Sequence, residues 1–253
     1  MKTIAIVNQK GGVGKSTTAA ALAGGLTLLG HKVLAIDLDA QGNLSYTMRA
    51  DKGGKTALGV LTQEITAQEA IQHMPCGDII PANTALAGAD AVRTDTGKEY
   101  RLREALEPVQ GGYDYVIIDS PPALGIATVN ALTAADRVII PAQADIYSLQ
   151  GIEQLAETIQ PVKRYCNPGL VIDGILLTRF SPRSVLSREI AALMEQLANK
   201  LGTRLYKACI REAVAVKEAQ ISQENLFTYA PKANVAGDYR AFMEEALGIK
   251  WEV

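Results

Sequence analysis

Two lysines bracket a glycine-rich turn in Gln9-Lys10-Gly11-Gly12-Val13-Gly14-Lys15-Ser16-Thr17. The apolar run Ile4-Ala5-Ile6-Val7 precedes it, and an alanine-rich segment of helical character follows. Strand, glycine turn, Gly-Lys-Ser and helix together form a phosphate-binding pattern. The glycines let backbone N–H groups close around phosphate oxygens. The helix that follows directs its N-terminus, with its partial positive charge, at the same anion. In this pattern Lys15 reaches the β- and γ-phosphates and the Ser16 hydroxyl binds Mg²⁺, with Gly11, Gly12, Val13, Gly14 and Thr17 lining the phosphates. The chain departs from G-x-x-x-x-G-K-[ST] at Gln9, where the pattern has glycine, and Lys10 adds a cation at the start of the loop.

Three carboxylates fall at the ends of apolar runs. Asp37 and Asp39 close the run Val33-Leu34-Ala35-Ile36 in Asp37-Leu38-Asp39-Ala40-Gln41-Gly42-Asn43, and alternation along an extended segment points them the same way. An acidic pair beside a phosphate loop suits a metal-bound water and an attacking water, although aspartates also favour turns for local reasons. Asp119 ends Tyr115-Val116-Ile117-Ile118, and an apolar strand closed by aspartate is the pattern that holds Mg²⁺ opposite a phosphate loop.

The elements that must position these groups alternate. Strands are expected at Thr3–Asn8, Lys32–Asp37, Asp78–Pro81, Tyr113–Asp119, Arg137–Ala142 and Val171–Thr178, with a last one at Thr203–Tyr206. Helices are expected at Ser16–Leu29, from a capping box at Thr66, and at Lys98–Val109, Ile126–Ala135, Gly151–Tyr165, Val185–Leu201 and Asn234–Leu247. This order predicts an α/β fold: a single-domain P-loop NTPase over residues 1–253, with a mostly parallel, twisted central sheet flanked by helices on both faces. Ligands of such sheets bind beyond the carboxyl ends of the strands.

Composition excludes several classes. At 253 residues and 48% hydrophobic, the chain can build a sizeable core. No apolar run approaches a membrane span, and no signal peptide is expected. Cys76, Cys166 and Cys209 have no metal-type spacing, which fits a reduced, cytoplasmic protein. Net charge is −2, but residues 179–217 hold eight basic residues against three acidic ones. That excess suits either a solvated helix face or a nucleic-acid surface built on Arg183, Arg188, Arg211 and Lys217.

The loop resembles that of the deviant Walker A ATPases, the superfamily of ParA/Soj partition proteins, MinD, the nitrogenase iron protein and the arsenite-pump ATPase. The likeness to ParA/Soj proteins extends through Asp37–Asn43, Ile80-Pro81-Ala82-Asn83 with Leu86-Ala87-Gly88-Ala89, and Asn130–Asp136 with Ile139-Ile140-Pro141. The resemblance implies an ATPase using ATP and Mg²⁺ that forms a homodimer on ATP binding. Lys10 would cross the dimer interface to the partner's phosphates, Asp39 would position the hydrolytic water, and Asp37 would stand in the second shell of Mg²⁺. It further implies nonspecific DNA binding, a ParB-like centromere-binding partner, nucleoid association and no membrane attachment. Leu176-Leu177-Thr178-Arg179-Phe180 resembles a segment near the adenine, so Thr178 and Arg179 become base-side candidates, and Pro231-Lys232 lies near the nucleotide in some relatives.

One departure matters. Several arginines common in partition ATPases are replaced in Cys209–Lys217 and Pro231–Val235, with Arg211 and Lys217 offset. A chromosome, a plasmid, a mobile element or a protein cluster would all fit as cargo. The rivals are a MinD-like membrane ATPase, which would need a basic C-terminal anchor in place of the acidic Met243–Val253, and a metabolic ligase with a related loop.

Overall fold

A computed structural model describes residues 1–88 and 96–251. Ala89 of the family-like segment, and Glu252 and Val253 of the C-terminus, lie outside them. Six strands form one parallel sheet: β1 (Lys2–Ile6), β2 (Val33–Asp37), β3 (Asp78–Ile80), β4 (Tyr115–Asp119), β5 (Arg137–Ala142) and β6 (Val171–Leu177). Their order is β3-β2-β4-β1-β5-β6. Parallel neighbours need crossovers, and helices supply them: α1 (Lys15–Leu28), α2 (Asn43–Thr47), α3 (Ala57–Leu61), α4 (Ala67–Ala70), α5 (Arg101–Leu106), α6 (Ile126–Ala134) and α7 (Ile146–Tyr165), while α8 (Val185–Lys200) follows β6. After the sheet come α9 (Val214–Ile221), α10 (Leu226–Tyr229) and α11 (Asn234–Leu247). The α/β fold with helices on both faces is as expected.

Strand side chains alternate between two cores. Ala5, Leu34, Ile36, Val116, Ile118 and Ile140 pack with Leu102, Leu132, Ile152, Leu155 and Met194 on one face. Ile4, Ile6, Ala35, Ile117 and Ile139 pack with Leu22, Leu26, Phe227, Tyr239, Phe242 and Met243 on the other. A Cβ on Gly25 would sit 2.8 Å from Met243 Sδ and 2.9 Å from Phe227 Cε2, so glycine there lets α1 approach α11 and α10 closely.

The structure departs from expectation in several places. The helix expected over Lys98–Val109 is only α5, flanked by 3₁₀ turns at Lys98–Tyr100 and Glu107–Gly112, with Pro108 in the second. The strand expected at Thr203–Tyr206 reduces to isolated bridges, Ile175 with Leu205 and Thr178 with Ile210. The Glu245 carboxylate draws off the next two donors, Lys207 N and Ala208 N, at 2.9 Å each. The helix α7 begins at Ile146, five residues before the expected start, because Asp145 caps it by accepting a bond from Ser148 N at 2.9 Å. The helices α2, α3, α9 and α10 were not foreseen. The capping box of α4 is present, with Thr66 and Glu69 exchanging bonds.

Candidate nucleotide site

β1 lies between β4 and β5, so the turn that leaves it emerges at the middle of the sheet's carboxyl edge. The chain order reverses there: β1 leads through α1 to β2 on one side, while β5 stands on the other. Asn8, fully buried, anchors the start of the turn. Its Nδ2 donates to Pro141 O at 2.6 Å, and its Oδ1 accepts from Lys10 N at 2.9 Å. Gly12 and Gly14 adopt φ of 74° and 90°, values that L side chains rarely take. No side chain caps α1, so its first N–H groups face the concave turn. From outside, Thr178 Oγ1 donates to Val13 O at 2.8 Å and Gln143 Nε2 donates to Gly12 O at 3.2 Å.

Lys15 is buried and curls back over the loop, its Nζ donating to Lys10 O at 3.1 Å. Burial pushes its pKa down, while Asp119 and Asp39 oppose the shift. Register explains the carboxylates: Asp119 pairs with Ile6 on one side and with Asp37 on the other. Burial first, then the neighbouring Asp37 charge, raises the Asp119 pKa well above the usual range, partly offset by Ser16 and Lys15. Both Asp119 oxygens are buried and lack a hydrogen-bond partner among the described residues. An orphaned acidic group facing a lysine and a hydroxyl is matched to a bound cation. The residues therefore fit Mg²⁺, with Ser16 and Asp119 as the side chains that would hold it. When bound, Mg²⁺ neutralises negative charge on the phosphate oxygens.

Asp37 is arranged differently. Its Oδ2 accepts from Ser45 N at 2.8 Å and Ser45 Oγ at 2.7 Å, and its Oδ1 accepts from Asp39 N at 3.1 Å. Burial raises its pKa to about 6 despite those bonds. Asp39 is 8% exposed and accepts from Gln41 N at 3.0 Å, which leaves the carboxylate at the surface of the site, close enough to Lys15 to affect it.

Lys10 holds an intrachain partner that the sequence did not suggest. Its Nζ lies 2.6 Å from Asp145 Oδ2, at the cap of α7, with both side chains about a third exposed. Burial raises the Asp145 pKa, and the bonds from Lys10 and Ser148 outweigh that and lower it. Thr17 Oγ1 accepts from Gln220 Nε2 of α9 at 3.0 Å. Thr178, Arg179, Arg211 and Glu212 line a depression beside Gly14 and Thr17, so the structure brings both base-side candidates to the phosphate loop. Arg179 takes a φ of 50° there, unusual for a side chain of its size. Pro231 instead accepts from Arg240 Nη2 at 2.9 Å, and Pro231 and Lys232 are exposed.

The basic cluster is partly paired within the chain. Arg211 forms a two-pronged pair with Asp238, at 2.7 and 2.8 Å, which neutralises it. Lys217 lies 3.8 Å from Glu212, and Arg188 donates to Pro182 O at 2.8 Å. Arg183 is exposed, without an ion pair among the described residues. Residues that sequence reasoning missed are Asp145, Ser45, Asn8, Gln143 and Gln220. Only Asp145 carried a local signal, the Asp-x-x-Ser cap of α7.

The chain is similar to several known proteins. A family model described as AAA domain matches residues 1–172. The sporulation initiation inhibitor protein Soj of Bacillus subtilis is 37% identical over 96% of this chain and 97% of its own length. Chromosome partitioning protein ParA of Caulobacter vibrioides is 37% identical over 98% of this chain and 94% of its own. The crystal structure of cobyrinic acid a,c-diamide synthase from Mycobacterium smegmatis, with bound ATP analogue and magnesium, is 31% identical. It covers 99% of this chain and 98% of that one, with a TM-score of 0.76. No helix among the described residues is long and apolar enough to cross a membrane. This chain, an ATPase whose substrate and cofactor are ATP and Mg²⁺, belongs to the ParA/Soj family of P-loop ATPases.

Proposed function

We propose that the whole chain, residues 1–253, works as one partition ATPase domain: a dimer assembled around ATP that holds DNA without sequence preference and lets go after hydrolysis. Lys10 carries this reading. It is a second lysine at the rim of the phosphate loop, beside the exposed Gly11 and Gly12, held in its own chain by a partly exposed ion pair to Asp145 and a 3.5 Å bond to Ser148 Oγ. In the dimer Lys10 reaches the partner's phosphates, Lys15 holds those of its own subunit, and Asp39 orients the attacking water. Asp37 then serves the metal from a distance, through the backbone it pins. Gly11, Gly12, Val13, Gly14, Ser16 and Thr17 cradle phosphate, and Thr178 and Arg179 stand on the base side. A ParB-like protein stimulates hydrolysis, and the nucleoid is the matrix. The similarity to a protein named for chromosome partitioning supports the partition role from which both follow.

DNA contacts fall to Arg183, Arg188 and Lys217, since Arg211 is committed to Asp238. The test is binding to random-sequence duplex with ATP, with ADP and without nucleotide, at two salt concentrations. ATP-dependent binding that weakens with salt is expected, because phosphate contacts release counterions. Reversing the charges of Arg183, Arg188 and Lys217 should abolish it. Lys10→Ala should bind ATP and fail to dimerise, and normal ATP-driven dimerisation by that variant would reject the role across the interface. Normal dimerisation with no DNA binding under any condition would move the matrix to a protein or membrane surface.

A further inference from the structure

Ser45 is a fully buried serine of α2 that no motif singled out. Its N–H and its hydroxyl are both used near the hydrolysis turn. Its N–H and its hydroxyl both donate to Asp37 Oδ2, at 2.8 and 2.7 Å. Its Oγ accepts from Ala82 N, just past β3, at 2.9 Å. The other Asp37 oxygen accepts from Asp39 N at 3.1 Å. Asp39 is held again from beyond, where its carbonyl accepts from Gly42 N at 2.8 Å. The backbone on the near side of Asp39 is thus fixed by a carboxylate that Ser45 itself orients.

Ordinary structure would not require this. A turn after a strand needs its own N–H groups satisfied, and Asp37 could accept from Asp39 N without a buried hydroxyl behind it. What Ser45 adds is direction. Two donors on one oxygen fix the plane of the Asp37 carboxylate, and the bond from Ala82 N fixes the hydroxyl in turn. Precision of this kind matters where a side chain aims a small reactant. We infer that Ser45 is a positioning residue for hydrolysis: acting through Asp37, it sets the backbone of Asp39 and hence the aim of the Asp39 carboxylate.

The inference rests on the water-positioning role proposed for Asp39, and the experiment separates the two. ATP hydrolysis at saturating ATP and Mg²⁺ is compared for the wild-type chain, Ser45→Ala, Ser45→Cys, Ser45→Thr, Asp39→Ala and the double variant Ser45→Ala/Asp39→Ala. Affinity for a non-hydrolysable ATP analogue and thermal melting are measured alongside. Ser45→Ala should lower kcat about tenfold or more, with analogue affinity held within about twofold. Ser45→Cys fills the same space with a weak hydrogen-bonding group, so it should be slow too, which removes a packing explanation. Ser45→Thr keeps the hydroxyl and should restore most of the rate. Adding Ser45→Ala to Asp39→Ala should slow hydrolysis no further. A Ser45→Ala or Ser45→Cys protein that melts earlier yet keeps its kcat would make Ser45 structural only and overturn the inference. So would effects of Ser45→Ala and Asp39→Ala that multiply. If Asp39→Ala itself turns over normally, the role of Asp39 falls, and the positioning role falls with it.

Discussion

The two ends of the sheet make opposite use of polar groups. At the amino end, where β2, β3 and β4 begin, a cleft of about 750 Å³ is lined by His31, Lys32, His73, Asp78 and Tyr113. It holds both histidines of the chain, yet its carboxylates are satisfied. Asp78 accepts from Tyr113 Oη at 2.6 Å and lies 2.9 Å from His73 Nδ1. Asp114, beside it, accepts from Lys32 N at 2.9 Å. At the carboxyl end, Asp119 is buried with no hydrogen-bond partner on either oxygen among the described residues, and Lys15 is buried beside it. The depression next to the phosphate loop is only about 80 Å³. Volume alone would send a search for function to the wrong end. The distinction is electrostatic: a buried charge without a protein partner costs stability, and that cost is recovered when a ligand supplies the partner.

Four measurements bear on this contrast. The largest effect should come from Lys15→Ala, which removes the cation at the phosphates and should lower steady-state phosphate release by roughly 10²–10³-fold. An unchanged rate would remove the carboxyl end from the chemistry. Asp39→Ala should come next, slowing turnover by about 10²-fold while ATP stays bound and the dimer accumulates in size-exclusion chromatography.

The third is a pH profile of the protein without nucleotide. Burial raises Asp37 to about 6 and Asp119 well above the ordinary carboxylate value. Through the window from about 4 upward the folded state therefore binds more protons than the unfolded one, and stability falls as pH rises. A melting temperature lower at pH 8 than at pH 5, on the order of a few degrees, is expected. The opposite slope would mean that these carboxylates are already paired.

The smallest effects should lie at the amino end. Tyr113→Phe takes a donor from Asp78 and should cost about 1 kcal/mol in denaturant unfolding, with ATP hydrolysis unchanged. His73→Ala should cost almost nothing, because its side chain is 83% exposed. A loss of turnover in either variant would break the contrast.

Much of the carboxyl end was legible in the chain. Gly-Lys-Ser after an apolar run, and aspartate at the end of two others, each carry their signal within a few residues, because one strand and the turn after it dictate the local geometry. Asp145 was missed since its partner Lys10 is 135 positions away, and the helix it caps was read as starting later. Gln220 was invisible for the same kind of reason: its contact with Thr17 spans 203 positions. The ion pairs within the basic cluster were not legible, because sequence proximity counts charges without their partners. The two-pronged bond from Arg211 to Asp238 comes from a separate helix.

By itself, then, the sequence determined the alternating α/β order, the phosphate loop and the identity of its lysines and carboxylates. All of these follow from periodicity and short-range backbone chemistry. Only the tertiary structure decided which charges meet. It set Asp119 against Asp37 through strand register, gave Lys10 to Asp145, paired Arg211 with Asp238 and placed Ser45 behind Asp37. Those outcomes depend on burial and on contacts between distant segments, and hydrophobic packing of the two faces of the sheet brings the segments together.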